Sequence, residues 1–182
     1  MIGKLLRHVG VAGEHRGPLA GSGFDAPYDI TVTSTEFTDG DPLPTASGGK
    51  GVGDNASPQL TWTGLPPATR QVVLIIDDVD VPLPRPILHT VAVIDPAVDS
   101  IDSGAMQPGT AGLWFVPGDL GHRGYAGPRP IPGHGPHRYR FHVLALDGPI
   151  VENVTKAKAL FTQMDGHVLA RGVLTGTYER GG

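Results

Sequence analysis

Residues 124–141 read GYAGPRPIPGHGPHRYRF, and four prolines and four glycines in that span decide much of what can be built around it. Proline fixes φ and has no amide proton, so the segment is neither an ordinary helix nor a central strand. Glycine lets a backbone pass close to a neighbour. The expectation is a stiff, folded-back loop that delivers His137 and Tyr139 to the start of a strand at residues 139–146. Rigid loops on a sheet scaffold are where binding groups concentrate.

The same punctuation runs through the whole chain. With 27 Gly and 18 Pro among 182 residues, and 39% hydrophobic residues, short strands and turns in one domain are expected rather than a helical bundle. A formal net charge of −4 and the absence of a basic run argue against a nucleic-acid partner. The chain has no cysteine, so disulfides and thiolate metal sites are not available to it. Residues 1–20 hold no apolar stretch of signal-peptide or membrane-spanning length, and the expected location is cytoplasmic.

Residues 1–27 read as a loose N-terminal extension in which Ile2, Leu5, Leu6 and Val9 form one short amphipathic turn, and residues 28–182 as the folded domain. Residues 28–37, YDITVTSTEF, alternate as a half-buried strand does. Residues 46–57 carry glycines around Lys50, but a phosphate-binding loop needs Ser or Thr after the lysine and here Gly51 follows. A mobile surface loop is expected instead. Leu60 and Trp62 share one face of a short strand. Residues 71–77, QVVLIID, form the continuous apolar run of a strand buried on both faces. It ends in Asp77, Asp78 and Asp80 before a proline-rich turn. Residues 87–94, ILHTVAVI, give a second buried strand with His89 near its start, where a histidine is ordinarily a hydrogen-bonded core residue. Residues 95–112 give only turn signals, and residues 113–116 a short strand.

In the strand at residues 139–146, Tyr139, Phe141, Val143 and Ala145 share one face, with Arg140, His142, Leu144 and Leu146 on the other. A helix is expected over residues 153–171, with Leu160, Phe161, Met164 and Val168 as its apolar stripe and Gly172 as its stop. A last strand follows at residues 173–178. The sum is a mainly β domain with one C-terminal helix.

Three places can converge: the carboxylates ending one buried strand, His89 in the next, and His137 with Tyr139 after the loop. An Asp beside imidazoles raises their pKa and orients them, and cationic imidazoles grip an anion. Tyr139 adds a neutral donor, and backbone amides near Gly127 and Gly133 can complete a cradle. No Gly-x-Ser-x-Gly elbow is present for a serine nucleophile.

The residues that carry this chemistry also carry a resemblance. Ser57-Pro58-Gln59-Leu60-Thr61-Trp62, Asp78-Val79-Asp80-Val81-Pro82, His89, Gly124-Tyr125-Ala126-Gly127-Pro128 and His137-Arg138-Tyr139 occur in the order found in the phosphatidylethanolamine-binding protein family. The chain resembles that family's bacterial, Raf-kinase-inhibitor-like branch over roughly residues 28–180. The resemblance implies a β-sheet fold with Greek-key connections and a small anion pocket. Matched to the motifs, Asp78, His89, His137 and Tyr139 line that pocket and Gly127 and Pro128 form its wall. Val79, Thr90, Arg129 and Ile131 depart from the family pattern at the rim, and Arg129 is expected to face solvent.

The implied function is a non-enzymatic binding protein, possessing no cofactor, that takes a phosphate-type or phospholipid head group and acts in regulation or inhibition. Its expected partners are a small anionic ligand, either a phosphate ester or a carboxylate, lipid head groups and a second copy of itself. Two other classes use the same residues. One is a metal-dependent hydrolase built from Asp78, Asp80, His89, His134 and His137. The other is a protein–protein interaction module, an inhibitor of a kinase or protease, with a vestigial pocket.

Overall fold

The computed structural model describes residues 13–151 and 154–181. The amphipathic turn expected at residues 2–9 lies outside them. Among the described residues nine strands occur in chain order: β1 (Tyr28–Asp29), β2 (Thr31–Thr33), β3 (Leu60–Thr63), β4 (Gln71–Asp78), β5 (Ile87–Ile94), β6 (Ser100–Ile101), β7 (Leu113–Val116), β8 (His137–Leu146) and β9 (Val168–Tyr178). One sheet has the order β1-β9-β8-β4-β5-β7 and the other β2-β3-β6. A helix, Ala157–Met164, precedes β9.

Strands β4, β5 and β8 are apolar on both faces because both faces are covered. On one, Val72, Leu74, Ile76, Ala92, Phe141 and Val143 meet Leu60 and Trp62 of the small sheet. On the other, Val73, Ile75, Val91, Val93 and Leu144 meet Leu160 and Met164 of the helix, with Leu19 and Phe24. Each aliphatic side chain closed off this way contributes about 1.5–3 kcal/mol. The faces of β8 divide as its alternation predicts. The order β8-β4-β5-β7 is a Greek key, with β8 returning beside β4 through the long connection at residues 117–136. That crossing connection is the proline-glycine segment, and it is drawn over the edge of the sheet where β4 ends and β5 begins.

Several expectations are corrected. Residues 28–37 are not one strand: β1 pairs parallel with β9, β2 pairs with β3, and Ile30 between them donates its N–H to the Arg171 carbonyl at 2.9 Å. The chain changes sheets there. The helix stops at Met164, and Gly166, at φ +79°, turns the chain. Val168 and Arg171 therefore belong to β9, whose β-branched, alternating sequence suits a strand. Residues 13–27 are packed rather than loose. Leu19 and Phe24 are buried, Phe24 meets Phe161 edge-on at 6.1 Å between ring centroids, and Gly13 donates its N–H to the Val79 carbonyl.

The glycine-rich loop at residues 46–57 is likewise clamped. Its Gly49 N–H donates to the Pro128 carbonyl at 2.8 Å, and Ser47, Gly48 and Gly49 are buried. Asn55 holds the crossing connection at two points, donating to the Tyr125 carbonyl and accepting from the Gly127 N–H.

Gly172, expected as a helix stop, instead lets two backbones cross. A Cβ there would sit 2.1 Å from the Ile30 carbonyl oxygen. Gly172→Ala is expected to cost about 2 kcal/mol, within the range of backbone-clash substitutions. Urea unfolding should show a lower midpoint at unchanged slope. A midpoint equal to that of the unaltered protein would mean that the chains do not cross there.

Candidate functional site

Strand register brings three of the four pocket side chains together. Asp78 is paired with Tyr139 across β4 and β8. Side chains alternate, so Asp78 follows Leu74 and Ile76 onto one face, and His137 and Tyr139 follow Phe141 onto the same face. Asp77, Arg140 and His142 fall on the opposite face.

His89 has the wrong parity for this face. On β5, Ala92 and Ile94 lie with Tyr139, while Val91 and Val93 lie with the helix. Strict alternation would send His89 toward the helix. The pairing of β5 with β4 instead jumps from Thr90↔Ile76 to Leu88↔Asp77, leaving His89 with no residue opposite it. This bulge resets the alternation, as bulges beside binding sites do. Leu88 joins the helix-side core, and the His89 ring turns to meet Tyr139 at a centroid distance of 5.2 Å and an interplanar angle of 90°.

The hydrogen bonds define what each ring can offer. His89 Nδ1 lies 2.8 Å from the Ala126 carbonyl oxygen. A carbonyl only accepts, so Nδ1 carries the proton and Nε2 is left with its lone pair. Burial holds the His89 pKa below its usual value, despite the opposing pull of the Ala126 carbonyl and of Asp78. His137 Nδ1 donates to Asp78 Oδ2 at 2.8 Å, and His137 Nε2 lies 2.7 Å from His134 Nδ1. Both nitrogens of His137 are therefore engaged with protein groups.

The Tyr139 hydroxyl is buried and makes no well-formed hydrogen bond among the described residues, although the Asp78 carboxylate and the Arg129 backbone lie near it. Burial, and then the nearby Asp78 carboxylate, push its pKa well above the ordinary phenol value, with the Arg129 backbone acting the other way. It stays a protonated donor.

These groups open on a cavity of about 390 Å³ lined by Asp78, His89, His137 and Tyr139 together with Arg129, Arg180 and apolar side chains such as Leu83 and Ile131. Gly127 and Pro128 do not line it. Gly127 belongs to the adjoining cavity and gives its N–H to Asn55 Oδ1, while Pro128 offers its carbonyl to Gly49. Gly133 gives its N–H to the Arg180 carbonyl at 3.0 Å. The expected amide cradle is thus already spent on loop structure. Asp80 turns outward to a two-point pair with Arg138, at 2.9 Å on both Nε and Nη2. Arg129, expected in solvent, is exposed but lines the cavity mouth.

Arg180 carries no functional signal in the sequence. Tyr178 pairs with His137 across β8 and β9, so a residue just past the end of β9 arrives at the cavity, and nothing local in the sequence marks it. Among the described residues no group of three or more His, Cys, Asp or Glu is disposed to hold a metal ion. None of their helices is long and apolar enough to cross a membrane.

Fold and motif order place the chain in a known family. The sequence profile described as Phosphatidylethanolamine-binding protein matches residues 33–179, and the chain belongs to that family. A UPF0098 protein of Chlamydia trachomatis serovar D is 35% identical over 158 residues, which is 83% of this chain and 99% of that protein. A UPF0098 protein of Pyrococcus horikoshii is 36% identical over 133 residues, 70% of this chain and 67% of its own length. Among solved structures, Escherichia coli YbcL superposes with a TM-score of 0.75 at 28% identity, covering 83% of this chain and 98% of YbcL. A phosphatidylethanolamine-binding protein homologue of C. trachomatis gives a TM-score of 0.74 at 29% identity, covering 84% and 98%. Family membership supports a binding-protein role.

Proposed function

We propose that the cavity between His89 and Tyr139 binds the phosphate of a small phosphate ester, of head-group size, without turning it over. The observation that carries this reading is the Tyr139 hydroxyl, a buried donor without a well-formed hydrogen bond among the described residues, beside a histidine whose Nε2 is also uncommitted. A buried unpaired donor is costly, and an anion's oxygen answers it. Arg129 and Arg180 supply permanent positive charge at the mouth, and Arg180 is tied by its Nη1 to the Pro130 carbonyl at 3.4 Å. The Asp78–His137–His134 chain stands behind the ligand rather than touching it. It fixes the floor on which Tyr139 is held.

Apolar walls at Val81, Leu83 and Ile131 suit the aliphatic part of an ester. A regulatory role would follow if occupancy of the cavity alters the Pro-Gly segment, since that one segment supplies the wall and the His89 anchor. Calorimetry with phosphoethanolamine tests the reading. Tyr139→Phe is expected to weaken binding by about tenfold or more, the worth of a hydrogen bond to a charged group. Equal affinity in Tyr139→Phe, or no binding by the unaltered protein, would remove it.

A further inference from the structure

A second cavity, also of about 390 Å³, adjoins the first, and the two share Leu120 and Arg129. The backbone at residues 124–127 is the partition. Ala126 offers its carbonyl to His89 on one side and lines the second cavity on the other. Lys50, His122, Arg123 and Arg129 line this second cavity and no carboxylate does, although the chain as a whole has a net charge of −4. Three arginines elsewhere are answered by carboxylates: Arg85 by Asp119, Arg138 by Asp80 and Arg140 by Asp77. Here the side chains of Lys50 and Arg129 make no hydrogen bond or ion pair with a described residue.

The cations are presented from fixed backbone. Lys50 follows Gly49 on the loop clamped to Pro128, and Asn55 of that loop grips the partition at both Tyr125 and Gly127. The Arg129 stem lies over Gly49, where a Cβ would come within 2.6 Å of its Cγ. Arg123 Nη1 donates to the Phe115 carbonyl at 2.6 Å, which orients its guanidinium. Lysine and arginine side chains are cationic at neutral pH. Like charges held in one concavity, with no carboxylate to offset them, make a focused positive potential that favours an anion.

We propose that this second cavity is an anion subsite, so that the ligand is a soluble small molecule with two phosphate groups, one seated by His89 and Tyr139 and the other by Lys50 and Arg123, with Arg129 between them. The inference rests on the reading of the first cavity given above. Joining two weakly held anions by a linker of matching span makes the second contact intramolecular and raises affinity without any new contact.

The test is calorimetry at low ionic strength with methylphosphonate and a series of alkane-1,n-bisphosphonates. The best-matched bisphosphonate is expected to bind at least about tenfold more tightly than methylphosphonate. Lys50→Glu and Arg123→Gln should each erase that advantage and leave methylphosphonate affinity unchanged, while Lys50→Arg should retain it. A series in which no member exceeds methylphosphonate would overturn the subsite and leave the first cavity standing, as would an advantage that survives Lys50→Glu. Failure of methylphosphonate itself to bind would instead overturn the first-cavity reading, and this inference with it.

Discussion

Arg140→Ala is expected to destabilise the protein by about 3–5 kcal/mol, because it strands a buried carboxylate. Arg140 donates from Nε to Asp77 Oδ1 at 2.9 Å and from Nη2 to Oδ2 at 2.7 Å, and Asp77 is 1% exposed. The pair sits on the face of β4 and β8 turned away from the ligand cavity. His142 Nε2 lies 3.4 Å from Asp77 Oδ1, and neither ring nitrogen of His142 has a hydrogen-bond partner among the described residues. His142 cannot replace the two-point guanidinium contact. The double variant Asp77→Leu, Arg140→Met should recover most of the loss, since it leaves neither charge buried. A double variant as unstable as Arg140→Ala would show that the site depends on shape rather than charge.

The same pair sets an acid limit. Burial alone would raise the Asp77 pKa, but His142 and Arg140 overcome it and hold the folded value below 3.8. A carboxyl whose folded pKa is depressed stabilises the fold above its unfolded pKa, and that contribution is lost as pH falls through the folded value. The unaltered protein should therefore hold the pair's contribution down to about pH 4 and lose it below. In Arg140→Ala only His142 still opposes the effect of burial, so the acid transition should move to higher pH.

The second large effect concerns the ligand. His89 enters binding as a neutral ring with its proton on Nδ1, since burial depresses its pKa and the Ala126 carbonyl takes that proton. A lone pair on Nε2 repels an anion. Binding an anion against it requires Nε2 to take up a proton, so affinity should rise as pH falls. Above the depressed free-state pKa, and until the pKa of the bound state is passed, the change is up to about tenfold per pH unit. Inorganic sulfate, which does not itself titrate between pH 5 and pH 8, isolates the protein's contribution when followed by calorimetry. His89→Gln should bind weakly with a flat pH profile. A flat profile in the unaltered protein would mean that the anion does not meet Nε2.

How much of this was written in the sequence follows from strand parity. The runs at residues 71–77 and 139–146 are long, apolar and bounded by turn residues, so their strands and the faces of β8 could be read directly. That placed Tyr139 with Phe141, and the register between β4 and β8 brought Asp78 opposite. His89 was legible as a residue but not as a direction. Both faces of ILHTVAVI are apolar, so slipping one residue at a bulge changes no hydrophobic pattern and leaves no local trace. The resemblance to the family's motifs supplied what periodicity could not.

The helical signal in the sequence runs past the helix's end for a similar reason. Val168 continues an i, i+4 spacing from Met164, and it lies in the same core cluster as Leu160 although it opens β9. Leu19 and Phe24 are isolated apolar residues among glycine and proline, which carry no period to announce burial. The clamps on residues 46–57 come from Pro128, Tyr125 and Gly127, some seventy or more residues away, and no composition rule predicts them.

The most direct test of the central claim is the protonation state of His89, read by long-range proton–nitrogen NMR of the imidazole while phosphoethanolamine is added at neutral pH. The free protein should show His89 with its proton on Nδ1 and a bare Nε2, and the Nε2 signal should move to the protonated position as the ligand saturates. Saturable binding that leaves the Nε2 signal of His89 unmoved would contradict it.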